Sequence, residues 1–350
     1  MEPAHALIDA PDGGAASATV AGLLAASQRI DGFGLDPAST LPWVAAVGAI
    51  APLPGDDTAA LWQLLAATAR LDVAAARMLE PHLDARAILA QAREAGVLTD
   101  LGRDDAETWG VFAAEGGDDP VRAERDADGT WRLTGTKPWC SLAAHLDRAL
   151  ITAWTGDERG LFAVDLRDPR VVARSGPWHA RGLTGVVSAP VDLHDAPAVP
   201  VGGPGWYLRR PGFAWGGMGV AAVWHGAMTP LVDRLVARAD TGAPDPLAQV
   251  SAGRADAAAW TASLALAEAS RAVDARITGA AATLLAARVR AVVAAAVREV
   301  LAVEARELGP GPVVSDAAHA RRVADLELYV RQDHGDRDLA RLGRRAAVGS

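Results

Sequence analysis

Apolar positions along the chain change period twice, which divides it into three parts. From about residue 16 to 100 the period is helical. Over residues 58–79, Leu61, Leu64, Leu65, Leu71, Ala75 and Met78 fall on one side of a helix, with Thr68 the polar interruption; such a stripe buries against a neighbour. Pro81 lacks an amide hydrogen and predicts a stop or bend, after which Asp84 is placed to cap a further helix over residues 85–94. Between roughly 106 and 200 the runs become short and rich in aromatic and β-branched residues: 109–112, 131–133, 149–154, 161–164, 171–172 and 186–193. Turn-forming segments such as 126–129 and 155–157 separate them, the pattern of an antiparallel barrel or sandwich. Beyond the Gly- and Pro-rich stretch 201–217 the helical period returns. Leu285, Val289, Val292, Ala296, Val300 and Val303 recur at spacings of three and four, opposite Arg298, Glu299, Arg306 and Glu307. Long amphipathic helices over about 212–239, 247–274 and 277–308 predict a bundle. The expected class is therefore α+β: a helical domain over 1–105, a β domain over 106–205 and a helical bundle over 206–350.

At 350 residues the chain exceeds what one hydrophobic core usually organises. Half of it is hydrophobic, yet no run reaches the ~18 consecutive apolar residues of a membrane span; even 44–53 is interrupted by Gly48 and Pro52. The N-terminal residues lack a basic region followed by an apolar core, so a cytoplasmic location is expected. One cysteine, Cys140, excludes an internal disulfide framework and a zinc cluster. A net charge of −9 argues against nucleic-acid binding, although a few arginines suffice for a single phosphorylated ligand. Paired Glu-x-x-His motifs for a di-iron bundle and a G-x-G-x-x-G fingerprint are both absent.

One segment is specific. Gly129, Trp131, Leu133, Gly135, Lys137, Trp139 and Ser141 stand in register without a gap, and the segment resembles the strand-turn-strand motif of the acyl-CoA dehydrogenases. That resemblance implies the same helical, β, helical order, with FAD as cofactor. It implies that Trp139 packs beside the flavin ring and that Ser141 donates to the N5 edge, where an apolar wall and a fixed donor suit a nitrogen that accepts hydride. Without the resemblance, the same two residues read as a barrel tryptophan beside a solvent-facing serine. Residues 109–115 resemble the strand preceding the family's flavin loop, so Ala113 and Ala114 are expected to contact flavin through their backbone; the loop's threonine is missing here. Arg238 and Gln249 match an arginine and glutamine that reach the FAD pyrophosphate of a neighbouring subunit, with Thr241 where a phenylalanine is usual. A guanidinium fork suits pyrophosphate, and a solvated helix end is the competing reading.

Towards the C-terminus the resemblance matches Asp325 to a family aspartate, and eight residues on it reaches Asp333 at the position of the base, beside His334. Either can take a proton; equally, Arg331, Asp333, Asp336, Arg337 and Asp338 read as a charged helix end. The implied activity is α,β-dehydrogenation of an acyl thioester, carried on CoA or a carrier protein, with hydride transfer to flavin N5. An acceptor such as an electron-transfer flavoprotein and a homo-oligomeric, or heteromeric, assembly follow from the same resemblance. Two alternatives remain: a flavin-dependent monooxygenase on this fold, and a non-catalytic subunit of a heteromeric complex. Trp206, Tyr207, Trp215 and Trp224 read as a substrate pocket or as core, Arg209 and Arg210 as a phosphate contact or a solvated turn. Cys140 reads as a small buried hydrophobe.

Overall fold

The computed structural model describes residues 15–98, 101, 106–240 and 245–348. Four helices come first: α1 (Ala15–Ser27), α2 (Pro37–Ile50), α3 (Thr58–Leu71) and α4 (Val73–Glu94). The break between α3 and α4 falls at Asp72, nine residues before the proline that the sequence pattern pointed to. The Asp72 carboxylate accepts the amide of Ala75 at 2.8 Å, which caps α4, and also holds Arg321 at 2.6 Å. A satisfied N-cap decides the boundary locally. Pro81 lies inside α4, and Asp84 caps nothing; it faces a cavity. Because α4 is packed on most of its circumference, tertiary packing outweighs the hydrogen bond missing at the proline.

Seven strands follow: β1 (Trp109–Phe112), β2 (Arg122–Arg125), β3 (Trp131–Ser141), β4 (Arg148–Thr155), β5 (Glu158–Asp165), β6 (Val171–Ala173) and β7 (Ser188–Pro200). The path β4-β2-β3-β7-β5 returns to β4, so the sheet closes into a small barrel, with β1 beside β4 and β6 beside β7. Most pairings are antiparallel, but β1 and β2 run parallel to β4. β2 carries no apolar pattern (Arg-Ala-Glu-Arg), which is why periodicity did not reveal it.

The bundle contains α5 (Trp206–Arg209), α6 (Gly212–Ala239), α7 (Pro246–Asp274), α8 (Gly279–Leu308), α9 (Gly311–Ser315), α10 (Ala317–Tyr329), a 3-10 turn (Val330–Gln332) and α11 (Asp336–Val348). A Cβ at Gly226 would come within 2.1 Å of the Ala66 carbonyl, so glycine permits the close crossing of α6 on α3. By length and composition α8 could cross a membrane. Here it is a core helix: Val289, Val293, Val297, Val300 and Val303 are buried against α6 and α7. One core runs from α2 and α3 through the barrel into the bundle. A second joins α4 (Ile88, Leu89) to β1, β4 and β5 (Trp109, Leu150, Leu161), and the Trp109 amide donates to Nδ1 of buried His82 at 3.2 Å. The junction of α4, β1 and the bundle is thereby fixed.

Candidate functional site

A cavity of about 740 Å³ opens at that junction. Its β side comprises Val111, Ala113 and Ala114 at the end of β1, Trp139 and Ser141 on β3, and Ser188 on β7. The register of β3 against β7 slips between Lys137 and Cys140, and Trp139 in that bulge has φ of 59°. A bulge re-aims a side chain. Here it turns the indole out of the sheet, leaving a large aromatic ring 67% exposed at the cavity wall. Buried Lys137 braces the opposite face of the strand, donating to Glu115 at 3.0 Å and to the Thr152 carbonyl and hydroxyl at 2.9 and 2.7 Å. Because Glu115 follows Ala114, this brace also fixes the segment after β1. Cys140 is fully buried, which pushes its thiol up to about 12 and removes it as a nucleophile.

The helical side is more polar than the sequence pattern suggested. Arg77, Glu80 and Asp84 on α4 all reach the cavity, as do Tyr207, Arg290, Tyr329 and His334. Arg77 donates to the Ser141 hydroxyl at 3.1 Å, lies 3.4 Å from Glu80, and stacks over the Tyr329 ring at 5.5 Å. The Ser141 and Ser188 hydroxyls share a hydrogen bond of 2.7 Å. Arg290 sits over Trp224 at 4.7 Å and donates to the Gly217 and Gln332 carbonyls. Burial pushes the Glu80 carboxyl up to about 7, beyond what the Arg77 charge recovers, and burial also raises Asp84 despite Arg210 nearby.

Glu80, Asp84, Tyr207, Val220 and Arg290 also line a second, smaller chamber of about 410 Å³ between α4, α6, α8 and α11, so the two spaces share one wall. Asp333 belongs to the smaller chamber. Its carboxylate accepts Arg298 at 2.6 Å and the Gly335 amide at 3.0 Å, and does not line the space in front of Trp139. His334 does line the larger cavity; its side chain is 61% exposed and stands 3.4 Å from Asp338.

Of the residues singled out in the sequence, Ala113, Ala114, Trp139, Ser141 and His334 thus converge on one cavity. Arg238 and Gln249 stand elsewhere, flanking the α6–α7 connection; Arg238 pairs with Asp245 at 3.1 Å and Gln249 is exposed. Thr241 lies outside the described residues. Trp215 and Trp224 are core, Tyr207 lines both chambers, Arg209 is exposed, and Arg210 is buried against Gln91 and Asp84. Sequence reading missed Arg77, Glu80, Arg290 and Tyr329. For Arg77 and Glu80 the available signal was a polar stripe at positions 77, 80, 84 and 91 of one helix; Arg290 and Tyr329 carried no such signal.

The chain has the acyl-CoA dehydrogenase fold. Over its full architecture it is similar to butyryl-CoA dehydrogenase from Megasphaera elsdenii, with 13% identity, a TM-score of 0.75 and coverage of 97% of this chain and 99% of that one. It is also similar to KijD3 in complex with FMN and a dTDP-linked amino sugar, at 18% identity, TM-score 0.79 and coverage of 99% and 97%. FMN-bound TdsC from Paenibacillus sp. A11-2, a dibenzothiophene monooxygenase, matches at 15% identity and TM-score 0.77, covering 94% and 95%. No protein-family model and no curated protein sequence matches the chain.

Proposed function

We propose that this chain is a flavin-dependent oxidoreductase in which reduced flavin and dioxygen oxygenate a small substrate. The fit to a flavin rests on the cavity itself. Among the described residues little packs on this exposed indole to account for its strained backbone, whereas a bound isoalloxazine would cover it. Ser141 and Ser188 supply hydroxyls at the same wall, and the backbone at Ala113 and Ala114 closes the edge beside it. When bound, reduced flavin would supply two electrons to dioxygen, so that one oxygen atom enters the substrate and the other leaves as water. The protein's own groups would wall a bound flavin with Trp139 and set the charge around it through Arg77 and Arg290.

One observation favours oxygenation over α,β-dehydrogenation of an acyl thioester. The Asp333 carboxylate, which the resemblance matches to the base, is engaged by Arg298 and Gly335 and lines the smaller chamber, not the space before Trp139. The likeness to KijD3 and TdsC, whose structures hold FMN, supports the same reading. The test is uptake of FMN or FAD by the purified protein, followed by oxygen consumption when a flavin reductase and NADH are supplied. Flavin uptake with oxygen consumption above that of the reductase alone supports the reading. Anaerobic bleaching of bound flavin by an acyl-CoA would support dehydrogenation instead. Failure to take up either flavin overturns both and leaves the non-catalytic subunit in front.

A further inference from the structure

The wall between the two chambers carries a carboxyl group for which neither the fold nor the flavin requirement gives a use. Glu80 projects from the middle of α4, its side chain 12% exposed, and lines both spaces. Its Oε2 stands 3.4 Å from Arg77 and accepts the Tyr329 hydroxyl at 3.4 Å, so among the described residues no short hydrogen bond fixes it. Arg77 in turn donates to Ser141, which puts Glu80 one guanidinium away from the hydroxyl at the flavin wall.

We propose that Glu80 is the proton-transfer group of the site, delivering a proton to dioxygen as it is reduced in front of Trp139 and Ser141. The inference rests on the flavin reading above. With no substrate present, anionic reduced flavin contributes two electrons and its ring proton, Glu80 contributes the second proton, and dioxygen becomes hydrogen peroxide. The Glu80 carboxylate then regains a proton from solvent. With a substrate RH the overall change is anionic reduced flavin, dioxygen, RH and one proton to oxidised flavin, ROH and water; Glu80 delivers that proton and is reprotonated from solvent.

Three features support the assignment. Glu80 is reachable by an occupant of either chamber, unlike Asp333, which Arg298 holds. Burial leaves its carboxyl protonated up to about neutral pH, where a general acid is most effective. The charged and titratable groups around it are of both signs: Arg77 and Asp84 from α4, Arg290 from α8 and Tyr329 from α10, with Arg210 behind Asp84 and His334 across the larger cavity. Across the smaller chamber stand Tyr207 on α5, Asp333 after the 3-10 turn, and Asp338, Arg341 and Arg345 on α11, while Arg331 joins His334 across the larger one. The face of α6 at this wall, Gly216, Gly217 and Val220, brings no charge.

Two measurements on the full chain test this, with Glu80→Gln as the isosteric variant and Glu80→Asp as the conservative one. The first is infrared carboxyl-stretch titration without flavin. The protonated-carboxyl band of the wild type should vanish near pH 7 and be missing in Glu80→Gln; an identical titration in the two proteins overturns the proposal whatever the flavin result. The second uses FMN-loaded, photoreduced protein mixed with oxygenated buffer, reading the return of oxidised flavin. The wild-type rate should fall up to about tenfold per pH unit above 7. Glu80→Gln should be slow and flat with pH, and Glu80→Asp should regain a pH-dependent limb. A Glu80→Gln protein that binds FMN and keeps the wild-type rate and limb overturns the proposal but leaves the flavin reading standing. A wild type that binds no FMN or FAD removes the flavin reading, and the proposal with it.

Discussion

Two neighbouring side chains on α4 push the pH dependence of stability in opposite directions. Glu80 has its folded value raised to about 7 from an ordinary 4.5, so between those values the folded chain holds a proton that the unfolded chain has lost. Its contribution therefore falls as pH rises from about 4.5 to 7, by on the order of 3 kcal/mol. His82 does the reverse: burial, with the Arg86 charge, pulls it down to about 4 from 6.5, so stability is lost as pH falls through that window. Replacing Glu80 by glutamine removes only the first slope. Urea unfolding should show Glu80→Gln gaining on the wild type as pH rises from 5 to 7 and holding that gain above it, while the acid limb set by His82 persists. A pH-independent difference would mean that Glu80 is ionised throughout. Trp139 poses a different trade. Its positive φ costs about 1 kcal/mol that glycine would not bear, and its ring touches little protein. Trp139→Gly should leave the melting temperature unchanged or higher while weakening FMN or FAD affinity at least tenfold, measured by fluorescence quenching of the flavin. Unchanged affinity would show that the indole is not the flavin wall.

At the scale of elements, the legible parts were those in which a buried face imposes a period. α6, α7 and α8 were read to within a few residues because their inner faces repeat at three and four, and β1, β4 and β5 because aromatic and β-branched runs stand between turns. β2 was illegible because it is exposed on both sides apart from Ala123. The α3–α4 break was misplaced because a proline looked stronger than a cap, although Asp72 satisfies Ala75 and pairs with Arg321. Half of the site could be read for a related reason. Trp139 and Ser141 lie in a contiguous motif, while Arg77, Glu80, Arg290 and Tyr329 come from three helices that meet only in the folded chain. Asp72→Ala gives this a measurable form: removing the cap should cost about 1–2 kcal/mol in urea unfolding, and it also takes away the carboxylate that Arg321 pairs with. A change within error would mean that the break is held by the surrounding packing alone.

At the scale of the whole molecule, α7 carries an exposed apolar face that the folded monomer does not account for. Along α7, Leu247, Val250, Trp260 and Leu264 are exposed at helical spacing, from 49% for Leu264 to 76% for Leu247. A water-facing stripe of that kind marks an association surface more often than a solvated one. Gln249 lies exposed on the same helix between Leu247 and Val250, and Arg238 sits beside its start through Asp245. The resemblance to the acyl-CoA dehydrogenases is what implies that these two residues serve a neighbour's cofactor and not the cavity of their own chain. Self-association through α7 would therefore bury the stripe and carry Arg238 and Gln249 to a second copy in one step. Light scattering after size exclusion should give a mass that is a multiple of the chain's 36.1 kDa. The double variant Trp260→Glu, Leu264→Glu should shift it towards the monomer with the helical content unchanged. Arg238→Ala and Gln249→Ala should leave the mass unaltered, and should weaken FAD more than FMN, because only FAD has the pyrophosphate that these side chains would hold. Equal loss of both flavins would locate their effect at the isoalloxazine, and a wild-type monomer would confine each site to a single chain.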